Sequence, residues 1–65
     1  MKLQLNGASI ETEVSTLAEL LAAEGLGGAK VATAVNGEFV PAAVRADQIL
    51  NAVDAIEVLA AMQGG

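Results

Sequence analysis

Eight carboxylate side chains and a closing pair of glycines carry what chemistry this sequence can offer. It contains no His, Cys, Tyr or Trp, so the usual general base, thiol nucleophile and imidazole or thiolate metal ligands are missing. The carboxylates do not form a site on the page either. Glu11 and Glu13 fall on the solvent side of an alternating stretch, and Glu19 sits where a helix cap is expected. The expectation is therefore no catalytic residue, no metal site, and no enzyme activity of the chain's own. Gly64 and Gly65 remain. They follow an apolar stretch, Ala55 to Met62, and end the sequence. Without a Cβ, two successive glycines make a thin, permissive tail that a narrow channel can admit. One reading makes the Gly65 carboxylate a working group presented to another protein's active site. The other makes it a frayed end, since terminal residues with little to pin them are common.

A domain must hold such a tail, and its composition limits what that domain can be. Sixty-five residues make one small unit. Of its 35 apolar residues 14 are alanine, leaving 21 Val, Ile, Leu, Met and Phe to build one layer against another. Net charge is −5, with only Lys2, Lys30 and Arg45 positive, which argues against a nucleic-acid partner and suits a partner with a basic docking face. The longest apolar run, Val58 to Met62, is far short of a membrane span. Met1-Lys2 leads straight into a strand pattern with no signal peptide. A cytoplasmic protein, monomeric when free, is the expectation.

The elements follow from periodicity. Met1-Lys-Leu-Gln-Leu5 alternates with Met1, Leu3 and Leu5 inward. Asn6-Gly7 signals a type I′ hairpin turn, and the return strand reads Ile10 to Val14, with Ile10, Thr12 and Val14 inward. Thr16-Leu-Ala-Glu19 fits a capping box. Leu17, Leu20 and Leu21 recur at helical spacing, and Gly25 falls at the C′ position, predicting a helix over about 17–24 that covers the sheet. Gly27-Gly28 reads as connector. Val31 to Val35 is a third strand, Asn36-Gly37 a second hairpin turn, and Glu38 to Val40 a short fourth strand ended by Pro41. Pro41 opens a helical turn in the least legible stretch, where Ile49 and Leu50 are expected to anchor to the core. Phe39, the only aromatic residue, reads as a packing residue, with a partner contact as the second option. A last strand from Ala55 to about Met62 puts Ile56 and Val58 inward. Leu59 is then left exposed beside the tail as a candidate docking residue, with Phe39 and Met62 as companions.

This order implies an α+β roll, a mixed sheet of about five strands on one main helix, with the first and last strands adjacent and parallel in the middle. That is the β-grasp arrangement of ubiquitin-like domains. The domain is expected to span residues 1–62, with 63–65 as a flexible tail.

The whole chain resembles the small sulfur-carrier proteins of thiamine biosynthesis, the ThiS type. The similar features are the opening strand with Asn6, Thr16-Leu-Ala-Glu-Leu-Leu21, Ala34-Val-Asn-Gly-Glu-Phe-Val-Pro41, Asp54-Ala-Ile-Glu-Val58 and the final Gly64-Gly65. Three departures stand out. Ala52-Val53-Asp54 replaces a usual Asp-Gly-Asp turn, and because valine is poor at positive φ that turn is expected to differ locally. Ala42 stands where the family often has a basic residue, and the approach to the tail, Ala-Ala-Met-Gln, is unusual. The resemblance implies that an adenylating enzyme related to ubiquitin-activating enzymes uses ATP to activate Gly65, with Gly64 required for entry. A persulfide derived from a cysteine desulfurase then leaves a thiocarboxylate, and a thiazole synthase takes its sulfur. No cofactor is bound by the chain itself. Two other readings stay open: a carrier for molybdopterin, cysteine or tRNA thiolation, and a ubiquitin-like binding or modifier protein.

Overall fold

A computed structural model describes residues 1–60 of the chain. Five strands, one α-helix and a 3₁₀ segment follow in the order β1 (Lys2–Leu5), β2 (Ala8–Glu11), α1 (Leu17–Ala23), β3 (Val31–Val35), β4 (Glu38–Val40), the 3₁₀ segment (Ala42–Asp47) and β5 (Ala55–Ala60). The sheet order is β2-β1-β5-β3-β4. β1 and β5 are parallel, and all other neighbours are antiparallel. The expected β-grasp roll is present, with the last strand in its centre.

Local chemistry accounts for each element. Asn6 and Gly7 have φ of 51° and 84°, and Asn36 and Gly37 have 52° and 84°. Both hairpins thus use turns with two successive left-handed residues, which match the right-handed twist of the strands. The Thr16 side chain accepts from Glu19 N–H at 3.2 Å, and the Glu19 carboxylate accepts from Thr16 N–H at 3.3 Å and Ser15 N–H at 2.7 Å. The capping box is complete. At the other end Gly25 takes φ of 77°. Leu26 N–H then donates to Leu21 O at 2.7 Å, and Gly25 N–H to Ala22 O at 3.1 Å. Those two bonds are a Schellman closure, and Glu24 serves as the C-cap rather than the last helical residue.

Leu17, Leu20 and Leu21 of α1 meet Leu3, Val35, Val40, Ile56 and Val58 from the sheet, with Leu50 completing the core. Each fully buried leucine contributes about 2 kcal/mol of apolar transfer. The inward alternation of β1 holds. Ile10, Thr12 and Val14 are half-buried while Glu11 and Glu13 are exposed, although β2 ends at Glu11, three residues earlier than expected.

Two expectations are corrected here. Ile49 is 58% exposed and does not anchor the core. Its backbone instead bridges Thr16, and Leu50, whose N–H donates to Ser15 O at 2.9 Å, is the buried anchor. The 52–54 turn also keeps its left-handed residue despite losing glycine: Val53 takes φ of 61°. Asp54 N–H closes onto Asn51 O at 3.1 Å, Asp54 Oδ2 accepts from Asn51 N–H at 2.8 Å, and Val53 N–H donates to Lys2 O at 2.7 Å. These bonds hold a β-branched residue where its Cβ crowds the following carbonyl, at roughly 1–2 kcal/mol. Val53 is 76% exposed, so its side chain gains little packing in return. Val53→Gly is expected to stabilise the domain by about 1 kcal/mol after allowing for the freer unfolded chain. Thermal melts should show the midpoint rising by roughly 5 °C. An unchanged or lower midpoint would mean that the turn stores no strain.

Candidate functional site

The sequence marks two kinds of candidate: a tail and a docking face. Gly64, Gly65 and Met62 lie outside the described residues. The strand that delivers them does not, and neither do Leu59 and Phe39.

β5 is held on both flanks by asparagine side chains. Asn36 N–H donates to Ala55 O at 2.7 Å, so Ala55, Glu57 and Leu59 turn their main-chain groups toward β3, and Ile56 and Val58 turn theirs toward β1. Gln4 and Asn6 N–H donate to Asp54 O and Ile56 O, both at 2.9 Å. β1 ends there, yet the ladder gains one further rung. The Asn6 side chain accepts from Val58 N–H at 2.8 Å through Oδ1 and donates to Val58 O at 3.1 Å through Nδ2. A primary amide here does the work of a peptide group. On the other flank Asn36 Oδ1 accepts from Ala55 N–H at 2.9 Å, and its Nδ2 donates to Asp54 Oδ1 at 3.0 Å. Sequence reasoning saw both asparagines as turn formers and missed the clamps, because their targets lie far along the chain.

Arg45 was missed as well. Pro41 cannot continue the β4 ladder, which would leave Val31 O without a strand partner. The 3₁₀ segment brings Arg45 back to that gap. Its Nη2 donates to Val31 O at 2.6 Å and its Nε to Thr33 Oγ1 at 2.9 Å, while the buried Thr33 hydroxyl donates to Val40 O at 2.8 Å. Val31 pairs with Ala60, so this guanidinium secures the end of the sheet from which the chain runs on to the tail. A strand stopped early by proline, followed by a lone cation, is the one sequence signal that could have drawn attention to it.

The face of the sheet away from α1 is open. Leu59 is 67% exposed on it, as expected, and Phe39 is 68% exposed, which corrects the reading of Phe39 as a packing residue. Phe39 lies opposite Ala34, and Leu59 opposite Ala32. The two large side chains therefore flank the alanines of β3 on a diagonal, roughly 12 Å apart across two strand spacings and a two-residue offset. β4 has only three residues, so its middle side chain, Phe39, points away from the helix while Val40 fills the core. Among the described residues no pocket opens and no group of acidic side chains gathers as a metal site. No helix in them is long and apolar enough to cross a membrane.

A five-stranded mixed sheet gripping one helix, with the final strand central and its far end leading to the C-terminal residues, defines a ubiquitin-like β-grasp protein. The ThiS family model matches residues 3–65, and the chain belongs to that family. The crystal structure of the thiamine biosynthesis protein ThiS from Geobacter metallireducens is similar throughout, with a TM-score of 0.86, 29% identity and coverage of 100% of both chains. Among curated proteins none matches. Membership places the chain among small sulfur carriers of thiamine biosynthesis, which are carrier proteins rather than enzymes.

Proposed function

We propose that the Gly65 carboxylate is the group on which sulfur is carried. An ATP-dependent adenylating enzyme joins it to AMP with release of pyrophosphate, giving a mixed anhydride that a carboxylate alone cannot match as an electrophile. The outer sulfur of a protein persulfide attacks the acyl carbon and expels AMP. A thiol then cleaves the resulting acyl disulfide, leaving the Gly65 thiocarboxylate and a new disulfide on the partners. A thiazole synthase takes the sulfur. The chain contributes reach and identity, and the partners contribute ATP, persulfide and active sites.

The observation that carries this reading is the central position of β5. Its main chain is clamped from both sides up to Val58, and the sequence after Ala60 runs to two terminal glycines. The anchor is thus firm shortly before a sequence that closes on two residues without a Cβ. Leu59 and Phe39, exposed on the open side of the sheet, form the proposed docking face, and Met62, which lies outside the described residues, is assigned to docking from the sequence alone.

Intact mass provides the test. The protein is incubated with the adenylating enzyme, ATP and a persulfide donor, then treated with a thiol-alkylating reagent. With no cysteine in the chain, a label reports a thiocarboxylate and separates it from methionine oxidation, which adds nearly the same mass as exchange of oxygen for sulfur. Labelling that needs ATP and is lost on deletion of Gly65 is expected. An unlabelled protein, beside an enzyme that activates another carrier, would overturn the reading. Leu59→Asp is expected to weaken enzyme binding about tenfold by placing a charge on the apolar contact. Equal titration curves for the folded variant and its parent would remove Leu59 from the docking face.

A further inference from the structure

We propose that Asn36-Gly37 is a site of spontaneous deamidation, and that the fold shields Asn6-Gly7 from the same reaction. The main-chain nitrogen of the glycine, losing its proton, attacks the asparagine side-chain carbon Cγ. The new C–N bond closes an imide ring, and the side-chain nitrogen leaves as ammonia with that proton. Water then opens the ring at either carbonyl. The product is an aspartate or an isoaspartyl link, in which the main chain runs through the side chain. Glycine favours the attack because it has no Cβ to crowd its nitrogen.

Both turns supply the residue pair and the space. A Cβ added at Gly7 or at Gly37 would meet nothing within 4 Å. The two amides are not equally free to swing toward the attacking nitrogen. Asn6 holds the N–H and C=O of Val58 at 2.8 and 3.1 Å in a half-buried setting, and its departure leaves both groups of the central strand unpaired. Asn36 holds Ala55 N–H and Asp54 Oδ1 at 2.9 and 3.0 Å in the open, where water takes over each bond as it breaks.

The product also fits badly at position 36. The amide nitrogen there donates to Asp54 Oδ1, while Asp54 Oδ2 accepts from Asn51 N–H at 2.8 Å and closes the turn that holds Val53 at φ of 61°. Exchanging that nitrogen for a carboxylate oxygen sets two negative groups at hydrogen-bond distance with no proton between them. Either the new carboxylate swings away from Ala55, or Asp54 gives up Asn51. An isoaspartyl link adds a backbone atom to the turn that sets the pairing of β3 with β4. Deamidated copies therefore lose the clamp at the start of β5.

Cleavage after Lys2, Lys30 and Arg45 puts Asn6 and Asn36 in separate peptides, so mass spectrometry follows each conversion. The folded protein is held warm at mildly alkaline pH and sampled over time, beside a portion unfolded in urea. In the folded protein Asn36 is expected to convert about tenfold faster than Asn6, the factor that opening the half-buried pair implies. In urea the two rates are expected to be equal. Equal rates in the folded protein, faster conversion at Asn6, or no conversion at Asn36 while the unfolded portion converts would each overturn the assignment. Asn36→Asp installs the product directly and is expected to lower the thermal midpoint by roughly 5 °C. Adding Asp54→Asn is expected to restore most of that loss, because an amide donor then faces the new carboxylate. A midpoint that Asn36→Asp leaves unchanged would overturn the claim that deamidation unclamps β5.

Discussion

Gly64→Val is expected to leave the thermal midpoint unchanged and to abolish ATP-dependent labelling of Gly65. The described core runs from Leu3 to Val58, and nothing in it calls on residue 64, so the fold should not register the change. Activation should register it strongly. Adenylation requires the terminal carboxylate to reach a phosphorus atom in line with its leaving group, and misplacement by about 1 Å can cost a factor on the order of a hundred. A valine adds a branched Cβ next to the reacting carbon and restricts the φ and ψ that glycine leaves free. Gly64→Ala is expected to fall between the two. The measurements are the melt and the labelled mass on the same preparations. A lowered midpoint would show that residue 64 is part of the packed domain, and labelling at the parent's rate would show that the active site tolerates bulk there.

Asn6→Gly is expected to destabilise the domain by about 2 kcal/mol, although glycine suits the backbone conformation at least as well. At φ of 51° the substitution relieves crowding in the turn. Its cost comes from elsewhere. The Asn6 amide supplies both partners of Val58's main chain in a half-buried setting, and each such bond is worth about 1 kcal/mol net. Asn36→Gly is the control, because Asn36 has the same turn geometry at φ of 52° but its bonds to Ala55 and Asp54 are exposed. Water can replace those bonds at little loss. A drop in midpoint of roughly 10 °C for Asn6→Gly, with a clearly smaller one for Asn36→Gly, is the expected pattern. Equal drops would show that both asparagines act only through their turns.

These two asparagines show where sequence reading succeeds and where it stops. Asn-Gly between alternating stretches announces a hairpin because the requirement is local: two successive residues at positive φ. Thr16, Glu19 and Gly25 announce the helix ends for the same reason. What stayed hidden depends on pairs that the fold brings together. Asn6 and Val58 are 52 residues apart, and Arg45 meets Val31 only because Pro41 turns the chain. Phe39 read as a core or semi-exposed packing residue, but the strand's pleat assigns its face, and a strand of three residues leaves little pattern from which to read that face. Val53 shows the opposite failure. Local rules forbid it, and the hydrogen bonds of its neighbours and of its own N–H to Lys2 hold it in place. The exposure of the proposed docking residues was partly legible: that of Leu59 follows from alternation with Ile56 and Val58, whereas that of Phe39 follows only from the register of β4 on β3.

The central place of β5 also bears on how the molecule is made. The hairpins β1-β2 and β3-β4 do not pair with each other, and β5 alone joins them into one sheet. The strand that completes the sheet is the last of the five to leave the ribosome. Until it has been synthesised, the earlier segments are two hairpins and a helix without a common floor, and a lone two-stranded hairpin is marginal in water. Closing the sheet then requires a long-range pairing, the slow kind of step. A message truncated before residue 55 therefore yields a chain that cannot fold and is open to proteolysis. The architecture thus ties completion of the sheet to synthesis of its last strand, and copies that stop before that strand are left exposed to degradation.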